Sequence, residues 1–244
     1  MNKKKIISTI LACAMLPFGG LISASAQDTK PTYVQLNPAD ASPFNNGEFQ
    51  GWGTALCWWA NRLGYSEKLT NAAAEAFFSD KGLGLDIARY NLGGGDDPTH
   101  NHINRSDSKV PGVYSDYKLS SDGKDVESIT YDITKDQNQL NIAKAALKAN
   151  PDLYFEGFSN SAPYFMTKTG CTSGGGTVNS DGTVTSNGNL NNLTDDMYDD
   201  FAKFIADATK LFKDNGIEFK SYSPMNEPDT DYWGYGSPKQ EGCH

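Results

Sequence analysis

The apolar positions of this chain fall into short runs and longer periodic stretches that alternate. Residues 51–59 (GWGTALCWW) form a Gly-opened apolar run, which reads as a buried strand. Ser66 stands where an N-cap belongs, and Leu69, Ala73, Ala76 and Phe77 recur at helical spacing over residues 67–78, with Gly82 as the stop. Residues 83–90 (LGLDIARY) give a second strand. A helix over 136–150 carries Leu140, Ala143, Ala146 and Leu147 on one face, and Pro151 ends it. Residues 153–158 (LYFEGF) give a third strand. The strongest periodicity follows: Thr194 caps a helix in which Met197, Phe201, Phe204, Ile205, Ala208, Leu211 and Phe212 repeat, and Gly216 closes it in a left-handed turn. Residues 217–223 (IEFKSYS) give a fourth strand. Two polar stretches, 91–132 and 170–192, show no period and read as loops.

Alternating strands and helices demand a parallel sheet with helices outside, and both open doubly wound sheets and closed barrels satisfy that. No GxGxxG or GxxxxGK follows a strand, so nucleotide-binding versions lose support. In either architecture the chemistry belongs at the carboxyl ends of the strands, where the polar stretches begin.

The amino terminus has its own pattern. Lys3, Lys4 and Lys5 precede a mostly apolar stretch that ends at Ala24-Ser25-Ala26, which predicts a cleaved signal peptide over 1–26 and an exported product. Pro17, Gly19 and Gly20 interrupt that stretch, which disfavours a membrane anchor, and residues 10–12 make a poor lipobox before Cys13. Residues 27–49 are polar and dotted with proline, an extended lead-in. The chain of 244 residues holds 21 Lys+Arg against 30 Asp+Glu, a net charge of −9. That excludes nucleic acid and anionic membrane surfaces as default partners, since both need a basic face. Cys57 reads as a buried thiol, and Cys171 and Cys243 as a possible bridge. His100 and His102 read as part of a solvated loop, not a metal site. Neither a metal nor an organic cofactor is called for.

The chemistry concentrates behind the fourth strand, in Ser223-Pro224-Met225-Asn226-Glu227-Pro228. A glutamate in a water-poor mouth can hold a proton near neutral pH and pass it to a leaving oxygen. Asn226 beside it can donate to a sugar hydroxyl. Arg89, near the end of strand two, needs a carboxylate partner, and pairing with the catalytic glutamate would orient it. Trp52, Trp58, Trp59, Tyr164, Phe165, Tyr232, Trp233 and Tyr235 crowd the same rim, where sugar C–H faces can pack on them; each taken singly fits a core role equally well.

The stretches QGWGTALCWWANRLGYSE (50–67), GLGLDIARYNLGGGD (82–96), FSNSAPYFMTKTGCTSGG (158–175) and SPMNEPDTDYWGYGSPKQEGC (223–243) resemble glycoside hydrolase family 30, and within it the endo-β-1,6-galactanases. The resemblance implies a (β/α)8 TIM barrel, of which residues 50–244 supply about the first four βα units. It implies a monomeric retaining glycosidase acting on a polysaccharide, with Glu227 as general acid/base. Asn226 and Arg89 then bind and support at the sugar next to the scissile bond, and Trp52, Trp58, Asn160, Tyr164 and Trp233 line the substrate cleft. The family's nucleophile, a glutamate at the end of strand seven, has no counterpart before His244, so the chain reads as an amino-terminal fragment, inactive alone. The competing expectations are β-1,6-glucan, xylan or glucosylceramide as substrate, or a non-catalytic carbohydrate-binding surface protein.

Overall fold

The computed structural model describes residues 37, 44–100 and 103–243. The signal-peptide stretch, most of the lead-in and His102 lie outside them. The chain divides into two compact units, Met1–Glu48 and Phe49–His244. In the first, Phe44–Gly47 makes a single 3-10 turn.

The second unit is built on a four-stranded parallel sheet of β1 (Gly53–Ala55), β2 (Ile87–Asn91), β5 (Tyr154–Phe158) and β8 (Phe219–Ser223), in that spatial order. Each of the four predicted strands is present. The helices between them are α1 (Trp59–Leu63), α2 (Glu67–Phe78), α3 (Gln137–Ala149) and α4 (Tyr198–Asp214). Ser66 caps α2 by accepting from the Leu69 N–H at 3.5 Å. Met197, Phe201, Phe204, Ala208 and Phe212 are buried as the periodicity predicts, and Gly216 takes φ +88°. Tyr90 joins this layer at the centre of the core, edge-on to Phe212 at 4.7 Å.

Four expectations need correction. Strand one stops at Ala55, because the Ala60 N–H donates to Leu56 O at 3.0 Å and starts a helix; Trp59 therefore packs on Phe77 at 5.0 Å as core. The buried face of α2 is Thr70, Ala73, Ala74 and Phe78; of the predicted stripe Ala73 is buried and Phe77 partly so, while Leu69 and Ala76 are exposed. Cys171 and Cys243 are separate buried thiols, not bridged to each other, and Cys57 is half-buried. Both presumed loops contain antiparallel hairpins: β3 (Tyr114–Leu119) with β4 (Val126–Tyr131), and β6 (Gly176–Val178) with β7 (Val184–Ser186). The first hairpin is fixed by tertiary contacts. Tyr131 stacks on Phe204 at 6.1 Å, and the Val126 N–H donates to Asp200 Oδ2 at 2.8 Å.

The two outer strands, β1 and β8, each have one neighbour, and both are only partly covered. Unpaired strand edges are templates for self-association. The 244-residue chain expressed alone is therefore expected to form concentration-dependent oligomers. Light scattering behind size exclusion reads this directly, and a strict monomer across a hundredfold dilution series would contradict it.

Candidate active site

The turn that carries Glu227 is sewn onto the end of the neighbouring strand. Past β5, Ser159 donates its N–H to Ser223 O at 3.1 Å and accepts the Asn226 N–H on its carbonyl at 2.9 Å. Its hydroxyl meets Tyr222 Oη at 2.9 Å. Gly157 is required there: a Cβ at that position would stand 2.4 Å from the Tyr222 ring. These bonds hold Pro224 to Glu227 at the carboxyl end of the sheet.

Glu227 itself takes φ +48°, a left-handed conformation that costs a non-glycine residue about 1–3 kcal/mol. Thr230 answers by donating both its N–H (3.1 Å) and its hydroxyl (2.9 Å) to Glu227 O. The Glu227 side chain is exposed, and its Oε2 accepts from Tyr232 Oη and Trp233 Nε1, each at 3.0 Å. The water-poor pocket expected around it is not there. The buried carboxyl group of this mouth belongs to Glu241, 3% exposed.

Arg89 does not pair with Glu227. Its Nε donates to Glu156 Oε1 at 2.7 Å, its Nη1 to Asn226 Oδ1 at 3.2 Å, and its guanidinium lies 3.7 Å over the Phe158 ring. The two ion-paired side chains are about one-third exposed (31% and 33%), so the pair adds only ~0–1 kcal/mol to stability. Its effect is orientation: it turns the Asn226 amide. On the other side, Asn226 Nδ2 lies 3.4 Å from both Glu241 oxygens. Burial pushes the Glu241 carboxyl up to about 8; Asn226 and Lys239 act against that, and Glu227 adds to it.

The remaining predicted residues divide. Trp58 and Trp233 share a cation, Lys239 Nζ, at 5.4 and 5.2 Å from their ring centres, and Arg105 lies 5.1 Å from Trp58. Trp58 Nε1 is buried with no hydrogen-bond partner among the described residues. Trp52 is 72% exposed and rests edge-on against Phe49 at 5.2 Å. Asn160 is buried just past β5. Tyr164 packs on Tyr117 and Phe165, each at 5.7 Å, as part of the aromatic cluster under the first hairpin. Sequence reasoning gave Glu241, Tyr232 and Lys239 no individual role. No local pattern marks them, because the chain returns to the mouth only through contacts distant in sequence: Gln240 bonds Gly94 N, Gly95 O and Val110 O, and the Glu241 N–H donates to Thr172 O at 2.8 Å. Asp96 was also passed over. Both its oxygens are buried without a hydrogen-bond partner among the described residues, with Lys109 Nζ at 3.8 Å. Among the described residues no group of three or more His, Cys, Asp or Glu is arranged to hold a metal ion.

An exposed glutamate held by two aromatic donors at the end of a parallel strand suits proton transfer to a sugar oxygen. The family model of O-glycosyl hydrolase family 30 matches residues 44–244. The chain belongs to family 30. An exo-β-1,6-galactobiohydrolase of Bifidobacterium longum is 29% identical over 94% of this chain and 17% of its own length. An endo-β-1,6-galactanase of Hypocrea rufa is 28% identical over 94% of this chain and 46% of its own. The chain thus spans less than half the length of these curated relatives. A crystal structure of a conserved exported protein from Bacteroides fragilis superposes with a TM-score of 0.60 at 27% identity, covering 80% of this chain and 37% of that one. The family 30 neighbours are (β/α)8 barrels, and the α/β architecture here agrees with them.

The Glu241 environment has a measurable consequence. Its carboxyl holds a proton more tightly when folded than at the ordinary value of 4.5, so between about pH 4.5 and 8 the folded state binds more protons and stability falls as pH rises. Glu241→Gln removes that dependence. In the protein translated from the full reading frame, the variant's melting temperature should gain on the wild type from pH 5 up to about pH 8 and level off above it. A constant offset over that range would show that the carboxyl titrates normally.

Proposed function

We propose that this chain forms part of the (β/α)8 catalytic barrel of an exported retaining glycosidase that cleaves β-1,6-linked galactan. The observation that carries the reading is the placement of Glu227, presented to solvent at the carboxyl end of β8 with its Oε2 held by Tyr232 and Trp233. Family membership and the activities named for the two β-1,6-galactan-active relatives support the substrate.

In the first step Glu227 gives its proton to the glycosidic oxygen as the C1–O bond breaks, and a carboxylate nucleophile bonds to the anomeric carbon. The Tyr232 hydroxyl and the Trp233 N–H hold the carboxylate that remains. In the second step Glu227 takes a proton from water, which displaces the enzyme from the sugar. Neither nearby glutamate suits the nucleophile's part, since Glu156 is tied to Arg89 and Glu241 is buried. We assign the nucleophile to a glutamate on a later strand of the family's barrel, outside these 244 residues. Asn226, between Arg89 and Glu241, donates to the sugar beside the scissile bond, and Trp58 and Trp233 pack on sugar faces. Cleavage after Ala26 and export fit the basic and apolar amino-terminal pattern and the exported relative. No helix among the described residues is long and apolar enough to cross a membrane.

The test is hydrolysis of β-1,6-galactan, β-1,6-glucan and xylan by the product of the full reading frame, with retention followed by NMR of the released anomer. Galactan should be cleaved with retention. Glu227→Gln should lose ~10²–10⁴-fold on galactan. It should lose far less on an aryl galactoside in glycosyl-enzyme formation, where the leaving group needs no proton. Equal losses on both substrates would remove Glu227 from the acid's role.

A further inference from the structure

The buried Glu241 has no part in the two steps above, yet the fold builds a place for it. The strip 240–243 is pinned along its length. Gln240 has its amide fully engaged, Glu241 bridges in parallel to Ser173, and Cys243 Sγ accepts the Ala162 N–H at 3.4 Å. Gly242, at φ +110°, is packed so closely that a Cβ would stand 2.4 Å from Gly174 Cα. The carboxyl group so placed reaches one side chain by hydrogen bond among the described residues, Asn226. The charged and titratable groups around it are Arg89 from β2, Glu227, Tyr232 and Lys239 from its own loop, and the thiols of Cys57 and Cys243.

Arg89 has only donors, so the Asn226 oxygen must face it and the NH₂ group must face Glu241. That NH₂ group carries two hydrogens. One is taken up by Glu241, and the other is left for a ligand. We propose that Glu241 is a positioning residue for the glycosidase reaction: by accepting from Asn226 Nδ2 it locks the amide between itself and Arg89 and presents the second N–H beside Glu227. The role rests on the glycosidase reading. At 3% exposure Glu241 acts through Asn226 and not on the sugar itself. Burial favours the protonated form of Glu241, whose carboxyl can still accept from the amide.

The experiment is a double-mutant cycle in the full-reading-frame protein on a β-1,6-linked galacto-oligosaccharide, paired with NMR of the Asn226 side-chain amide. Glu241→Ala should lower kcat ~10–100-fold with a smaller change in KM, a misplaced contact rather than a lost subsite. Asn226→Ala should lower kcat too, and the double variant should be no worse than Asn226→Ala alone. Glu241→Gln, which keeps an acceptor oxygen, should recover most of the loss. The Asn226 amide resonance should shift with an alkaline midpoint in the wild type and stay flat in Glu241→Gln, a readout that survives if Glu241→Ala fails to fold. Losses that multiply in the double variant, or an amide resonance indifferent to pH, would overturn the positioning role while leaving the enzyme's activity standing. A wild type inactive on galactan, glucan and xylan alike, with the amide still titrating, would sink the glycosidase reading first and the positioning role with it.

Discussion

The arrangement at the mouth depends on the seam between β5 and β8. Ser159 uses its N–H, its carbonyl and its hydroxyl on three different residues of the neighbouring strand and turn. Without that seam the Pro224–Glu227 turn would be an exposed loop end, free to sample many backbone states at roughly 1–2 kcal/mol of entropy per residue. With it, Asn226 is fixed at its backbone before any side chain is considered. The left-handed φ of Glu227 follows from the same constraint: the chain must turn sharply away from Ser159, and Thr230 ties off the carbonyl that the turn exposes.

A fixed Asn226 backbone makes the side-chain chain meaningful. Glu156, Arg89, Asn226 and Glu241 form one hydrogen-bonded line across the sheet ends, from β5 through β2 to the strip after β8. Each contact alone is modest. The Arg89–Glu156 pair is open to water, and the Asn226–Glu241 contacts, at 3.4 Å, are long. Their combined effect is directional. A cation that can only donate stands at one end of the amide and an acceptor at the other, so the amide has one favourable orientation.

The parts of the fold that read well from sequence are those stabilised by their own residues. The α4 stripe is buried because Met197 to Phe212 return every three or four positions, and the two inner strands, β2 and β5, read as short apolar runs because they are covered. The hairpins stayed hidden because their stability is borrowed. β3 and β4 are polar and half-exposed, and they hold through Tyr131 on Phe204, Tyr117 on Phe165 and a backbone N–H on Asp200. The same distinction applies at the site. Asn226 and Glu227 are legible because Asn-Glu-Pro sits directly behind a strand. Glu241 is not, because its meaning comes from Gln240 reaching back to Gly94, Gly95 and Val110 and from its own N–H on Thr172. Arg89 lies between: its need for a carboxylate could be foreseen, but which carboxylate answered it could not.

Placing two glutamates in one mouth with opposite surroundings divides their labour. Glu227 faces water and two donors, an arrangement that suits the acid/base part proposed for it. Glu241 is removed from water and holds its proton up to about 8. Were both buried, neither could exchange protons with water between turnovers. Under the proposed mechanism, burying Glu241 and exposing Glu227 would let Asn226 see an acceptor while Glu227 exchanges protons with water. The sequence led one to expect Glu227 itself in a water-poor mouth; in the structure it faces water, and the buried carboxyl group of the mouth is Glu241.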